Sequence, residues 1–265
     1  MTNLQTKNQL NEEYKNIKYI LTSTMRSKLI LAMYESPRNL EELRNDLSKP
    51  SATILHGLKE LETENLVKKV QKKYQLTSNG FLLATNMIKL IENWSAINNN
   101  TDFWDNHDIT CIPKELLKNM HLLKDANYIT STTSDLSNAF NKYIDLISNS
   151  KELKIIMPIY SENHFRHIIE LLNNNKLKYI ELVISEEILK AIKINGTFRK
   201  YLLENKKVKI ICVKKNLKLF LTYSYDFMSL TLFFKDGHYD DSQMLIGKSS
   251  NNLKWATEVY SVYRR

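Results

Sequence analysis

NLEELRNDLSKPSATILHGLKELETENLVKKVQKKYQLT, residues 39–77, carries two helical periods and one strand alternation in close succession. Leu40, Leu43 and Leu47 recur at i, i+3 and i+7, which places them on one face of a short helix. The tract Ser48-Lys49-Pro50 breaks that period, and Pro50 suits the first position of a new helix, where no backbone donor is needed. Ile54, Leu58 and Leu61 form a second apolar stripe. At about 100° per residue, Ala52, His56 and Lys59 lie opposite it, with Thr53 and Leu55 on the flanks. A helix with small and polar residues on its outer N-terminal half suits a major groove, and Ser51 at its start can meet a phosphate. Residues 66–76 then carry Lys68, Lys69, Lys72 and Lys73 and no acid, while Tyr74 and Leu76 alternate with Gln75 as in a half-buried strand. Lys72 and Lys73, near the expected hairpin tip, can neutralise backbone phosphates without reading sequence. Helix–turn–helix trios occur in proteins that never touch DNA, and a lysine run is usually a solvated face. The order of turn, outward polar patch and acid-free ribbon is what predicts a winged helix-turn-helix and double-stranded DNA as partner.

Working outward, residues 10–21 read as a helix carrying Leu10, Tyr14, Ile17 and Leu21, and residues 24–35 as a second with Met25, Leu29, Ala32 and Met33 on one face. Ser36-Pro37-Arg38 closes the second. After the ribbon, Thr77 reads as an N-cap, and Phe81, Ala84, Met87, Ile88 and Ile91 follow at helical spacing. A helix in this place suits a dimer contact, because a symmetric site read by two copies gains affinity and selectivity. The polar tract at residues 98–102 reads as a linker. The expected division is therefore 1–97 for the DNA-binding domain with its added helices, 98–103 for the linker and 104–265 for an α/β sensor or assembly domain.

In that second part helices are expected at residues 114–123 and 135–147, the latter with Leu136, Phe140, Ile144 and Ile147 inward. From residue 151 short apolar strands alternate with amphipathic helices: strand 154–157, helix 161–173, strand 179–184, helices 186–192 and 197–203, strand 208–213. That order predicts a mainly parallel sheet core with right-handed crossovers. Residues 217–223, 228–234 and 244–246 read as further strands, and residues 253–263 as a closing helix with Trp255, Val259 and Val262.

Composition sets the remaining bounds. Of 265 residues, 43% are hydrophobic and 25% charged, ordinary globular values that fit two domains. The net charge is +9 and the pI about 9.2, which favours an acidic partner, although lysine is spread along the whole chain. No apolar run is long enough to cross a bilayer, and MTNLQTKNQLNEEYK has no signal-peptide core, so a cytoplasmic protein with no membrane partner is expected. Cys111 and Cys212 stand far apart with no Cys-x-x-Cys pair and no zinc spacing; a thiol switch is one alternative, and two ordinary thiols in a reducing cell the other.

Several segments resemble a known group. TMRSKLILAMYES (24–36), PSATILHGLKELETENLV (50–67) and YQLTSNG (74–80) are similar to archaeal ArsR-like winged-helix regulators. FWDNHDITCIPKELL (103–117), KIIMPIY (154–160), YIELVIS (179–185), YDFMSLTLFFKDGHYD (225–240) and LKWATEVYSVY (253–263) resemble the middle domain named after a methanogen filamentation and methanogenesis regulator. The resemblance implies an archaeal transcription factor with an N-terminal DNA-binding domain and a C-terminal sensing or assembly domain. The α/β part also looks like phospholipase-D-like domains in layout, but that chemistry needs His-x-Lys. None of His56, His107, His121, His164, His167 and His238 has lysine two residues on; His164-Phe165-Arg166 is the nearest.

No other catalytic signature emerges: there is no Gly-x-Ser-x-Gly, no Walker loop and no Rossmann fingerprint, and five glycines are too few for most phosphate cradles. No catalytic residue, metal ligand or cofactor is assigned. His107 and Asp108 are a candidate metal or acid/base pair, or else hydrogen-bond an irregular linker. Ligands of parallel α/β sheets sit outside the carboxyl ends of the strands. That places a small-molecule effector near Tyr160, Ser161, His164, Ser185 and Lys214, with an anion favoured where Ser161 opens a helix. Ser161 as a plain N-cap and His164 as a solvated helix residue is the alternative. The function predicted is a sequence-specific, homodimeric DNA-binding transcriptional regulator rather than an enzyme.

Overall fold

The computed structural model describes residues 3–265; of residues 3–8 and Asn16 only the backbone is described. Two compact units divide between Ile91 and Glu92. The first holds α1 (Asn3–Leu21), α2 (Thr24–Ala32), α3 (Leu40–Leu47), α4 (Ser51–Thr63), β1 (Val67–Val70), β2 (Lys73–Leu76) and the start of α5 (Ser78–Asn98).

Local chemistry explains these boundaries. The Ser23 hydroxyl accepts from the Arg26 N–H to open α2, which stops at Ala32 because Met33 leaves helical geometry. Asn39 and Glu42 form a reciprocal capping box on α3, and Ser48, with φ 52°, ends it in the left-handed region. Pro50 is extended and stands just before α4. Leu29, Ile30, Leu43, Ile54, Leu58, Leu61, Val67 and Tyr74 are buried together as the core of this unit. Gly80 admits the close approach of α5: a Cβ there would lie 2.0 Å from the Leu66 carbonyl oxygen. That carbonyl accepts the Thr77 N–H at 3.0 Å, and the Thr77 hydroxyl caps the new helix by accepting from the Gly80 N–H at 3.1 Å.

α5 runs past the unit boundary to Asn98. The tract read as a linker, 98–103, holds the end of α5 and the first turn of α6 (Thr101–Asn106), and Asn100 is buried. The second unit continues with α7 (Lys114–Leu117), β3 (Asn127–Thr130), α8 (Asn138–Ser148), β4 (Glu152–Ile156), α9 (Glu162–Asn173) and β5 (Tyr179–Ser185). It closes with α10 (Glu186–Ile194), α11 (Gly196–Phe198), β6 (Val208–Val213), β7 (Leu219–Tyr223), β8 (Met228–Leu232), β9 (Gln243–Gly247) and α12 (Ser250–Tyr263). The helix expected at 114–123 is α7 followed by a 3-10 turn, Met120–Leu123, and Leu136 is exposed because α8 begins after it. The segment after α11 is a π-turn, Arg199–Leu203.

The strands form one seven-stranded sheet in the order β3-β9-β8-β7-β4-β5-β6. Only β4–β5 and β5–β6 are parallel; β3–β9, β9–β8, β8–β7 and β7–β4 are antiparallel. The expected mainly parallel core is therefore a mixed sheet. The reason lies in the connections: helices α9 and α10 carry the chain back between β4, β5 and β6, but residues 214–218, 224–227 and 233–242 are too short or irregular for crossovers. Both faces are covered. α8, α9, α10 and α11 bury Tyr143, Ile147, Phe165, Ile168, Ile188 and Phe198 on one. α6, α7 and α12 bury Phe103, Trp104, Leu116, Trp255, Val259 and Tyr260 on the other.

Glu181 is the one acid buried within the central strands, and its partners come from α12, the residue that follows it and the neighbouring strand β6. The Tyr260 hydroxyl donates to it at 2.8 Å, Arg264 Nε lies at 2.9 Å, and Lys209 Nζ approaches at 3.1 Å. Burial alone would raise the carboxyl, yet these donors and cations hold it below its ordinary value.

Candidate nucleic-acid interface and ligand pocket

α4 turns Ile54, Gly57, Leu58 and Leu61 inward. Its outer face exposes Ala52, Thr53, Leu55, His56 and Lys59, with Ser51 half-buried at the first turn. Gly57 sets how deep the helix sits: a Cβ there would meet Leu29 Cδ1 at 2.8 Å and Met25 Cγ at 3.1 Å. Glu60, on the edge of the outer face, is drawn to Arg26 at 2.9 Å, whose guanidinium stacks 3.6 Å from the Tyr19 ring centre. Arg26 holds the Glu60 carboxyl below its ordinary range. The acid is thereby occupied, and apart from the exposed Leu55 the outer face is small, polar or cationic.

The hairpin pairs Val67 with Leu76 and Val70 with Lys73, leaving Gln71 and Lys72 as the turn; Gln71 takes φ 57°. Lys68, Lys69, Lys72 and Lys73 are all exposed, while Val67 and Tyr74 anchor the ribbon in the core. Lys69 Nζ lies 5.2 Å from the centre of the Tyr74 ring, its cross-strand partner. Arg38 bridges the outer edge of β2, donating its N–H to the Tyr74 carbonyl at 2.9 Å and accepting in return at 2.7 Å. All ten residues singled out for DNA contact therefore sit on these two adjoining elements, and nine of them are exposed.

The five residues singled out for a ligand do not form one site. Ser185 and Lys214 line a recess with Pro158, Glu186, Glu187 and Lys215 outside the ends of β5 and β6. Ser161 and His164 line a different one, with Phe140, Tyr239 and Asp241. Tyr160 lines neither; its ring packs 5.6 Å from Phe165 and 6.2 Å from Phe198. Ser161 does cap α9, accepting the His164 N–H at 3.5 Å, and its Oγ also lies 2.8 Å from His164 Nδ1. His164 is half-buried and not a freely solvated helix residue. The rings of Phe140, Tyr143 and Phe220 surround it at 5.1–5.2 Å, and burial pushes its pKa down to about 4.

Behind His164 lies a small cavity of about 40 Å³, walled by Tyr143, Phe220, Ser229, Thr231, Tyr239 and Gln243 among others. Sequence reading missed these residues, which come from α8, β7, β8, β9 and the loop before β9. One signal was available: Ser229 and Thr231 interrupt the apolar run of MSLTL at a period of two, so one face of that strand is polar.

His107 is buried and pairs with Asp240, not with Asp108: Nε2 lies 2.9 Å from Asp240 Oδ2, and Nδ1 2.5 Å from the Phe103 carbonyl oxygen. Asp108 instead accepts from the Thr110 N–H and hydroxyl. Burial would raise the Asp240 carboxyl, but His107, the Ser242 hydroxyl and the Ser242 N–H outweigh it and hold it below the ordinary carboxylate range. A carboxyl depressed on folding contributes stability above its unfolded pKa, and this contribution is lost as pH falls through the folded value. Asp240→Asn is thus expected to lower the urea midpoint at pH 7 and to flatten its fall below about pH 4. A variant whose midpoint keeps the full wild-type acid dependence would contradict this. Among the described residues no three His, Cys, Asp or Glu side chains cluster as metal ligands.

Comparison with known proteins places these units. Residues 14–95 match the N-terminal domain of the methanogenesis regulatory protein FilR1, and residues 136–265 match its middle domain. The methanogenesis regulatory protein FilR1 of Methanothrix harundinacea (strain 6Ac) is 23% identical over 255 residues, covering 94% of this chain and 56% of that protein. The chain thus spans little more than half the length of this relative. Among solved structures, TrmBL2, an archaeal chromatin protein with a novel mode of DNA binding, gives a TM-score of 0.40 at 12% identity over 97% of this chain and 98% of its own. The dimethyltransferase RosA of Streptomyces davawensis gives 0.26 at 12% identity over 80% and 67%. Neither superposition is close enough to bear on function.

Proposed function

We propose that this chain is a sequence-specific DNA-binding transcriptional regulator of the ArsR-like winged-helix kind, acting as a homodimer in the cytoplasm. The observation that carries the proposal is the outer face of α4 followed by the acid-free hairpin, with nine of ten candidate contact residues exposed. Ser51, Thr53, His56 and Lys59 read the site, with Ala52 and Leu55 at their side, and Lys68, Lys69, Lys72 and Lys73 neutralise phosphates. The FilR1 matches to both units support the same reading. The second unit serves as the effector-sensing or assembly domain, responding to a ligand only through different affinity for two states of the protein.

The dimer rests on α5, which exposes Leu82, Leu90, Ile91 and Trp94, and on α1, which exposes Leu10 and Tyr14. Apolar side chains at these positions are what a symmetric helical contact would cover. Among the described residues no helix is long and apolar enough to cross a membrane.

A hydrolase centred on His164 is disfavoured by its chemistry: a histidine with a pKa near 4 is a weak base at neutral pH, and Ser161 is engaged as a helix cap. A switch that needs the Cys111 thiolate fares no better. Burial pushes the Cys111 thiol up to about 12, which suppresses the reactive thiolate.

The hairpin assignment is tested by Lys72→Ala. Binding to the preferred site and to unrelated duplex should weaken by a similar factor, and the slope of log K against log salt should fall by about one per reading head. A loss confined to one sequence would contradict the assignment.

A further inference from the structure

We propose that the pocket between α8, α9 and the strands β7–β9 binds a small organic cation, an amine or quaternary ammonium, which serves as the effector of the second unit. The effector role rests on the regulator reading above; the binding does not.

The pocket has two kinds of wall. One is a run of aromatic rings: Phe140, Tyr143 and Phe220 around His164, with Tyr239 6.3 Å from Phe220. The other is polar, with oxygens from Ser229, Thr231 and Asp241. The inner cavity of about 40 Å³ and an outer recess of about 330 Å³ share Phe140, His164, Tyr239 and Asp241 as walls. The inner part seats a headgroup of a few heavy atoms, and the outer part leaves room for a substituent.

Charge selects the ligand class. Asp241 is the only carboxylate lining either recess, and no lysine or arginine lines them. His164 is neutral at pH 7 and adds no positive charge. The N-terminus of α9 is closed by its own Ser161 cap. An anion would therefore meet an acidic mouth with no cation to receive it, whereas aromatic faces and a carboxylate together attract a cation. This reverses the sign expected from the helix start alone.

The test is calorimetric titration of the full chain with choline, with its neutral isostere 3,3-dimethylbutan-1-ol, and with acetate. Choline should bind about tenfold or more tightly than the isostere, and acetate should not bind. Asp241→Asn removes the charge at an exposed position and should weaken choline about tenfold while leaving the melting temperature of the free protein unchanged. Equal binding of choline and isostere, preference for acetate, or no binding of choline and tetramethylammonium at millimolar concentration would overturn the site. DNA affinity measured with and without choline separates the two parts. Binding with unaltered DNA affinity would overturn the effector role alone, and absence of sequence-specific DNA binding both with and without choline would count against the regulator reading instead.

Discussion

Trp255→Ala is expected to destabilise the second unit by about 3–5 kcal/mol, the range for removing a fully buried large aromatic side chain. The indole is wholly buried among residues of α7, α12 and the sheet, and its Nε1–H donates to the Leu116 carbonyl at 3.3 Å. Truncation empties a space that close-packed neighbours cannot refill and removes one of that carbonyl's donors, leaving the Asn119 N–H at 3.0 Å. Urea denaturation followed by far-ultraviolet circular dichroism is the check. Trp255→Phe should recover part of the loss, because it restores ring volume without the hydrogen bond. A shift under about 1 kcal/mol for the alanine variant would mean that α12 is not seated as described.

The combined change His56→Ala and Lys59→Ala should cost the preferred DNA site about 2–4 kcal/mol, on the order of 30- to 1000-fold in affinity. Both side chains are exposed on α4 and neither supports the core, so the folded protein should melt as before. Binding to unrelated duplex should fall much less, because the hairpin lysines that supply the phosphate contacts are untouched. The expected signature is lost discrimination with most of the salt slope retained, the opposite of Lys72→Ala. Equal weakening on every sequence would assign His56 and Lys59 to phosphates rather than to bases.

What the sequence made legible follows from how local each feature is. The outer face of α4 is encoded by Ile54, Leu58 and Leu61 alone, and the hairpin by Tyr74, Leu76 and a lysine run with no acid. Such patterns need no knowledge of distant partners. The parallel strands β4, β5 and β6 were legible for the same reason, since each pair is joined by an amphipathic helix. The rest of the sheet was not. β3 pairs with β9, so Tyr128 sits opposite Leu245, and β7 leaves β6 to pair with β4 instead. Neither choice is written in a local period. The unit boundary was hidden because α5 is continuous through it, and the polar tract that follows is helical rather than loose. The pocket was the least visible. Its walls come from α8, α9 and three antiparallel strands, and the Ser161–His164 signal marked only its rim.

The most direct measurement is selection of binding sites from random duplex DNA by the purified protein, followed by sizing of the complex it forms. The account predicts a palindromic consensus occupied by two copies of the chain, each presenting α4 to one half-site. Salt-dependent binding with no enriched sequence would contradict it, leaving a basic surface without a reader.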